Sequence, residues 1–214
     1  MKMMRVRFPG ILTAPWLGCV GVGLLLSGCL SRPALKRQTF ALLDPPPGQT
    51  NTAPQGAVLQ LRSVEVSPLF AGRALVYRTG QDAYELDPYA GFLVRPDGAL
   101  AIPLRSYLRN SGLFRDVVEP GSPIKADEFL EVHVSEFYGD FRKSETPGAV
   151  VTLRFVLVQP SDGGGSRIGL NREYSRRVPL KSNTAEEVVA GYDEALAQIM
   201  KELVTDLTQA QSHP

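Results

Sequence analysis

The chain of 214 residues is 43% apolar, 21% charged and 8% aromatic, which excludes a disordered or coiled-coil protein and fits one globular domain. Lys and Arg number 23 against 22 Asp and Glu; removing residues 1–28, with three basic side chains, leaves 186 residues with 20 basic and 22 acidic groups. A body of that balance argues against a nucleic-acid partner, because neutralising phosphates needs a basic stripe. Both cysteines, Cys19 and Cys29, fall in the first 29 residues, so the body has no disulfide, Cys-based metal site or Cys nucleophile.

Lys2, Arg5 and Arg7 precede an uncharged, largely apolar run of 16 residues, 11–26, interrupted by Pro15. A membrane-spanning helix needs about 20 apolar residues, so this run has the proportions of a signal-peptide core. It ends in Leu26-Ser27-Gly28-Cys29, which resembles the lipobox of bacterial lipoproteins: small residues at a peptidase site, then a thiol that accepts diacylglycerol and becomes the new N-terminus. Two other readings of the segment are a plain secretory signal with Cys29 incidental, and an uncleaved anchor. A diacylglyceryl group plus an N-acyl chain such as palmitate anchors stably, at about 0.8 kcal/mol per buried methylene. By resemblance to enterobacterial sorting, Leu30 after the cysteine implies the outer membrane and its periplasmic face.

The following tether, residues 30–38, has 9 residues and reaches about 30 Å when fully extended. Arg32, Lys36 and Arg37 either lean on anionic headgroups or are simply solvated. Thr39 to Leu43 is compatible with a strand, and the proline-rich stretch 44–56 reads as a surface connection. Strands are predicted at 57–66 and 74–78, with a third, short one at Tyr84-Glu85-Leu86. Leu100, Leu104, Tyr107 and Leu108 recur at helical spacing before the stop signal Asn110-Ser111-Gly112. Pro103 within that run means that the helix either begins there or is kinked.

Val117-Val118 starts another strand, residues 129–135 alternate with period two, and residues 150–158 are nearly all β-branched or apolar. Ser161-Asp162-Gly163-Gly164-Gly165-Ser166 then leads to Ile168, Leu170, Tyr174 and Val178, an antiparallel hairpin. Thr184-Ala185-Glu186-Glu187 fits a capping box, and Val188, Tyr192, Leu196, Ile199, Leu203 and Leu207 form the apolar stripe of a long helix that covers a sheet.

No catalytic pattern emerges. His133 stands in a predicted strand and His213 beside the C-terminus; Ser166 lacks the glycine of a nucleophile elbow; and Gly163-Gly164-Gly165 leads into a strand, whereas a phosphate cradle opens a helix. Asp127 and Glu128 are adjacent, as are Glu186 and Glu187, and the latter pair suits a helix's first turn. His133 with Glu131 and Ser135 is a poor ligand set, so neither a metal nor another cofactor is expected.

Residues 74–80 (Ala-Leu-Val-Tyr-Arg-Thr-Gly), Tyr84, Tyr89-Ala90-Gly91-Phe92, Pro96, Leu100, Leu104 and the segment from Ser111 to Val118 resemble the core pattern of the ABC-type transport auxiliary lipoproteins, the PqiC-like family. Agreement is best over 57–118, and the later hairpin and terminal helix follow in the family's order. One departure is Phe92, where many relatives carry Trp; Leu93-Val94 replace small flanking residues. An aromatic there is expected to be core packing before the first helix. The resemblance implies an α/β fold, a mixed and mostly antiparallel sheet packed with two main helices, as a single domain behind a lipoprotein signal peptide. The expected division is 1–28 signal peptide, 29–38 lipidated tether, 39–210 ABC-transport auxiliary domain and 211–214 tail.

The resemblance also implies a non-enzymatic adaptor that serves an ABC transporter and its MCE-domain protein in intermembrane lipid transport, with a homo-oligomer possible. The alternatives are a tethered lipid carrier, which needs an apolar cavity, and an envelope hydrolase. Metabolic labelling with a fatty acid is predicted to mark the wild type and not Cys29→Ser; equal labelling removes the anchor.

Overall fold

The structure is a computed structural model that describes residues 36–43, 56–161 and 163–212. The segment with Cys19 and Cys29, most of the 44–56 connection and His213 lie outside the described residues. In chain order the elements are strands β1 (Gln38–Phe40), β2 (Val58–Val66), β3 (Ala74–Arg78) and β4 (Tyr84–Phe92), and helix α1 (Pro96–Asn110). Then follow β5 (Asp116–Val118), β6 (Glu128–Asp140), β7 (Gly148–Pro160), β8 (Ser166–Pro179) and helix α2 (Ala185–Ser212). All eight strands belong to one mixed sheet, and both helices bury their apolar stripes in one shared core. This is the α/β architecture expected from the sequence.

β6 organises the sheet. Along one side it pairs antiparallel with β7 for its whole length, and β7 pairs antiparallel with β8. Its other side is shared: β2 runs parallel to residues 128–134, and β3 meets Gly139 and Asp140. β5 extends the sheet beyond β2, while β4 and then β1 extend it beyond β3.

The alternation of β6 places Leu130, Val132 and Val134 in the core, and a bulge between Val134 and Glu136 then shifts its phase. After the bulge Phe137 points into the core, whereas Glu136, Tyr138 and Asp140 share the opposite face with Thr152 and Val150 of β7. β2 carries a similar irregularity between Leu61 and Ser63. That extra residue is why its apolar positions depart from strict alternation while Leu59, Leu61, Val64 and Val66 all contact the core.

α1 runs unbroken through Pro103. The proline in its first turn is Pro96, whose missing N–H costs nothing there; the helix therefore does not begin at Pro103. α2 opens as a partial capping box: Thr184 Oγ1 accepts the Glu187 N–H at 3.4 Å, but the Glu187 carboxylate accepts from the Lys181 backbone N–H at 3.3 Å. Val188, Tyr192, Leu196, Ile199, Leu203 and Leu207 are all buried, and α2 lies over β7 and β8. Gly191 permits that approach, since a Cβ there would stand 2.6 Å from the Ala149 Cβ on β7.

β4 is longer than the three residues read from sequence because Asp87-Pro88 disguises its second half. The Asp87 carboxylate accepts the N–H groups of Tyr89 and Ala90, both at 2.8 Å, bending the strand where its register with β3 shifts. Beyond the bend a Cβ on Gly91 would meet the Arg73 carbonyl oxygen at 2.4 Å, so glycine is required. Phe92 then stacks on Phe137 (5.4 Å between centroids), which stacks on Tyr192 (4.2 Å), a run of rings joining β4, β6 and α2 in the core.

Among the described residues β8 pairs only with β7, and its alternate exposed positions include Asn171, Glu173 and Arg177. Arg176 on β8 forms an ion pair with Glu202 of α2. Leu196 is 1% exposed, so Leu196→Ala is predicted to cost about 2–5 kcal/mol; an unchanged thermal midpoint contradicts the packing of α2.

Candidate functional site

Residues that sequence reasoning considered for chemistry are dispersed. His133 Nδ1 lies 3.3 Å from Glu65 Oε2 at the sheet surface, both side chains well exposed. Its neighbour across β7 is Arg154, which donates to Asn171 Oδ1 at 2.8 Å. Glu131 pairs with Arg62 at 2.9 Å, and Arg62 also covers the Phe129 ring at 4.2 Å. Asp127 accepts the Val58 N–H at 2.8 Å, which fixes the start of β2, and Glu128 accepts from Gln159 at 2.6 Å. Gly163 to Gly165 belong to the β7–β8 turn, where Gly163 and Gly164 have positive φ of 101° and 86°, and Ser166 opens β8. Phe92 is core, as expected.

A more organised arrangement sits where the chain joins the domain. Gln38 opens β1 beside Ala90 of β4 and donates to Glu186 in the first turn of α2 at 2.5 Å. Further on, the Leu43 N–H donates to Asp193 at 3.0 Å, so this segment follows the first two turns of α2. Tyr77 of β3 donates to Asp87 at 2.7 Å and stacks on Phe141 at 4.9 Å. Burial, the hydrogen bond to Asp87, and the charges of Asp87 and Glu186 hold the Tyr77 hydroxyl well above its usual range, so it remains a donor. The tether junction is thus fastened to the first turn of α2, where Val188 lies against Gly139 just before the β6–β7 turn.

At that turn Asp140 is the organising charge. Its side chain is 5% exposed and accepts from Arg142 Nε at 2.8 Å, Arg142 Nη2 at 2.9 Å and Arg177 Nε at 3.3 Å. Arg177 also donates to the Thr146 carbonyl at 2.6 Å. The Arg142 hydrogen bonds, joined by that from Arg177, hold the Asp140 carboxyl well below the usual carboxylate range despite its burial. Asp140, Arg142, Lys143, Thr146 and Arg177 line an open cleft of about 500 Å³.

Beside the cleft, Tyr138 stacks with Phe70 (5.7 Å) and meets Tyr84 edge-on (5.8 Å). Arg78 donates to the Tyr138 hydroxyl at 3.3 Å and lies over both tyrosine rings. Exposed Leu69 and Leu86 flank this cluster along the chain. Sequence reasoning did not single out Tyr138, Asp140, Arg142 or Arg177. The available signal was a run of charged and aromatic residues, Tyr138 to Lys143, closing a strand that otherwise alternates.

The model of a family described as the ABC-type transport auxiliary lipoprotein component matches residues 40–204. Among solved structures, a DUF330-family protein from Xanthomonas campestris is 20% identical, with a TM-score of 0.65 over 82% of this chain and 96% of that one. The crystal structure of an uncharacterized protein is 18% identical, with a TM-score of 0.61 over 80% of this chain and 99% of that one. At these identities the likeness concerns the fold. No curated protein matches the chain.

Asp140 has a depressed folded-state pKa, so its stabilising contribution is complete above the ordinary carboxylate pKa of about 4 and fades as pH falls below it. Asp140→Asn is predicted to lower the thermal midpoint at pH 7 and to flatten the loss of stability below about pH 4. Parallel acid melts of wild type and variant check this; superimposable curves contradict it.

Proposed function

Because this chain belongs to the ABC-type transport auxiliary lipoprotein family, we propose that it is a non-enzymatic adaptor, lipidated at Cys29 and held on the periplasmic face of the outer membrane. There it engages the MCE-domain protein of an ABC system that moves lipid between membranes. The observation that carries this reading is the family match over 40–204 directly behind a lipobox and a 9-residue tether. The β1 junction supports it: Gln38 and Leu43 are fastened to α2, so a short tether would transmit the height of an anchor to the domain.

Two structural features favour an adaptor over a carrier. Between sheet and helices the space is occupied by packed side chains such as Phe92, Phe137, Leu153 and Tyr192 rather than reserved for an acyl chain. On the surface, Leu69, Tyr84 and Leu86 are exposed beside the Phe70–Tyr138 stack, an apolar surface suited to protein contact. Against an enzyme stands the environment of His133, an exposed imidazole whose charged neighbours Glu65 and Arg154 belong to a surface row. Among the described residues no helix is long and apolar enough to cross a membrane, in keeping with attachment by a lipid.

An adaptor needs both an anchor and a contact surface, which separate experimentally. A form lacking residues 1–29 is predicted to co-purify with the MCE protein of its gene cluster but to rescue a deletion strain worse than the anchored form. Failure to co-purify, even after crosslinking of the anchored protein in cells, overturns the adaptor reading.

A further inference from the structure

The cleft at the β6–β7 turn holds more positive charge than its structural duty requires. A single arginine bound through Nε and Nη2 satisfies Asp140, and Arg142 does so. Arg177 is nevertheless brought to the same carboxylate, and Lys143 on the turn has no ion pair among the described residues. Three cationic side chains therefore line a cleft that holds one buried carboxylate. The nearby acidic group, Glu145, turns its carboxylate to the Ser144 hydroxyl at 2.9 Å.

Both guanidinium groups are held in place before any ligand arrives. Arg142 is fixed by its paired bonds to Asp140. Arg177 is fixed by Asp140 and the Thr146 carbonyl, and its guanidinium lies against Gly148, where a Cβ would come within 2.6 Å of Cζ. On each arginine these bonds occupy Nε and Nη2; each Nη1 has no protein acceptor among the described residues. Two Nη1 groups and the Lys143 ammonium thus remain as donors around an open space of about 500 Å³.

Arg78 adds to the field. Its hydrogen bonds go to the Tyr138 hydroxyl and the Gln81 carbonyl, with no carboxylate in ion-pair range among the described residues. The bond to Tyr138 raises its pKa, against burial and against repulsion from Arg142. An anion in the cleft would relieve that repulsion. Planar guanidinium groups with paired donors, joined by an ammonium, are suited to tetrahedral oxyanions.

We propose that Arg142, Lys143 and Arg177 form a binding site for a phosphate group, supplied by an anionic phospholipid headgroup or by free phosphate. Asp140 is its positioning residue. The headgroup as source rests on the lipid-anchor reading above, because Gln38, the last residue of the tether, is tied to Glu186 in the first turn of α2, and Val188 two residues on lies against Gly139 beside Asp140. The donor chemistry of the cleft does not rest on it, nor on any transporter partner.

The test uses the acylated protein in nonionic detergent. One arm titrates inorganic phosphate against chloride at matched ionic strength; the others add phosphatidylglycerol or phosphatidylcholine to the micelles. The arginine Nε–Hε resonances of Arg142 and Arg177 report occupancy, and the thermal midpoint reports folding. Saturable shifts with phosphatidylglycerol alone identify a lipid headgroup, and saturable shifts with inorganic phosphate identify a site open to free phosphate; either supports the proposal. Lys143→Gln with Arg177→Gln is expected to weaken binding at least about tenfold. Its unliganded midpoint should stay near that of wild type, because Arg142 still satisfies Asp140. No saturable shift in either anionic arm, or undiminished binding by the folded double variant, overturns the site; an equal response to phosphatidylcholine overturns the anionic headgroup as its source. The assay contains no partner protein, so its failure is distinct from failure to co-purify.

Discussion

The bulge at Ser135 in β6 is the constraint on which the two faces of the sheet depend. Before it, alternation sends Leu130, Val132 and Val134 inward; after it, Phe137 faces inward and Tyr138 outward. Without the extra residue, Phe137 would leave the core and its stack with Phe92 and Tyr192. The inserted residue thus serves the core and the surface together, since it also places Glu136, Tyr138 and Asp140 on one face. Glu136 there accepts from the Tyr138 and Thr152 hydroxyls, so the polar side of the central strands is hydrogen-bonded.

The same constraint explains how β6 serves two parallel neighbours. β2 occupies its first half and β3 its last two positions, with the loop at residues 67–73 between them. Phe70 from that loop is 3% exposed and stacks on Tyr138, covering sheet that neither strand reaches. Ser67 donates its N–H to the Val134 carbonyl at 2.9 Å, and Phe70 donates to the Ser67 carbonyl at 2.8 Å, so the crossover is built into the ladder next to the bulge.

Much of this fold was legible because period and composition agree in its longest elements. The stripe of α2, the apolar run of β7 and the glycine turn before β8 each carry their own signal, and each occupies its expected place. What escaped were features in which one residue breaks a pattern to satisfy a distant partner. Asp87-Pro88 reads as a strand end, yet the Asp87 carboxylate holds the bend through which β4 continues. Pro103 reads as a helix start or a kink, yet its helix begins about two turns earlier at Pro96 and runs on through it. The Asp140 cluster was illegible for a related reason. Arg177 lies 37 positions away in the chain and reaches Asp140 only through the registers of β6, β7 and β8.

β8 gives the domain a long lateral edge, and a lipidated protein lives with such an edge differently from a freely diffusing one. Confinement to a membrane leaves only two dimensions for diffusion and aligns neighbouring copies, so strand edges meet more often and in fewer relative orientations than in solution. A flat apolar edge would be a template for strand addition under those conditions. Here Arg167, Arg172 and Glu173 project from the strand and Pro179 ends it. The arginines set like charge against like charge when two copies approach edge to edge, and the proline removes a backbone donor from the end of the template. Lateral density on the membrane can then rise without sheets fusing, and encounters with other proteins are left to surfaces where side chains set specificity.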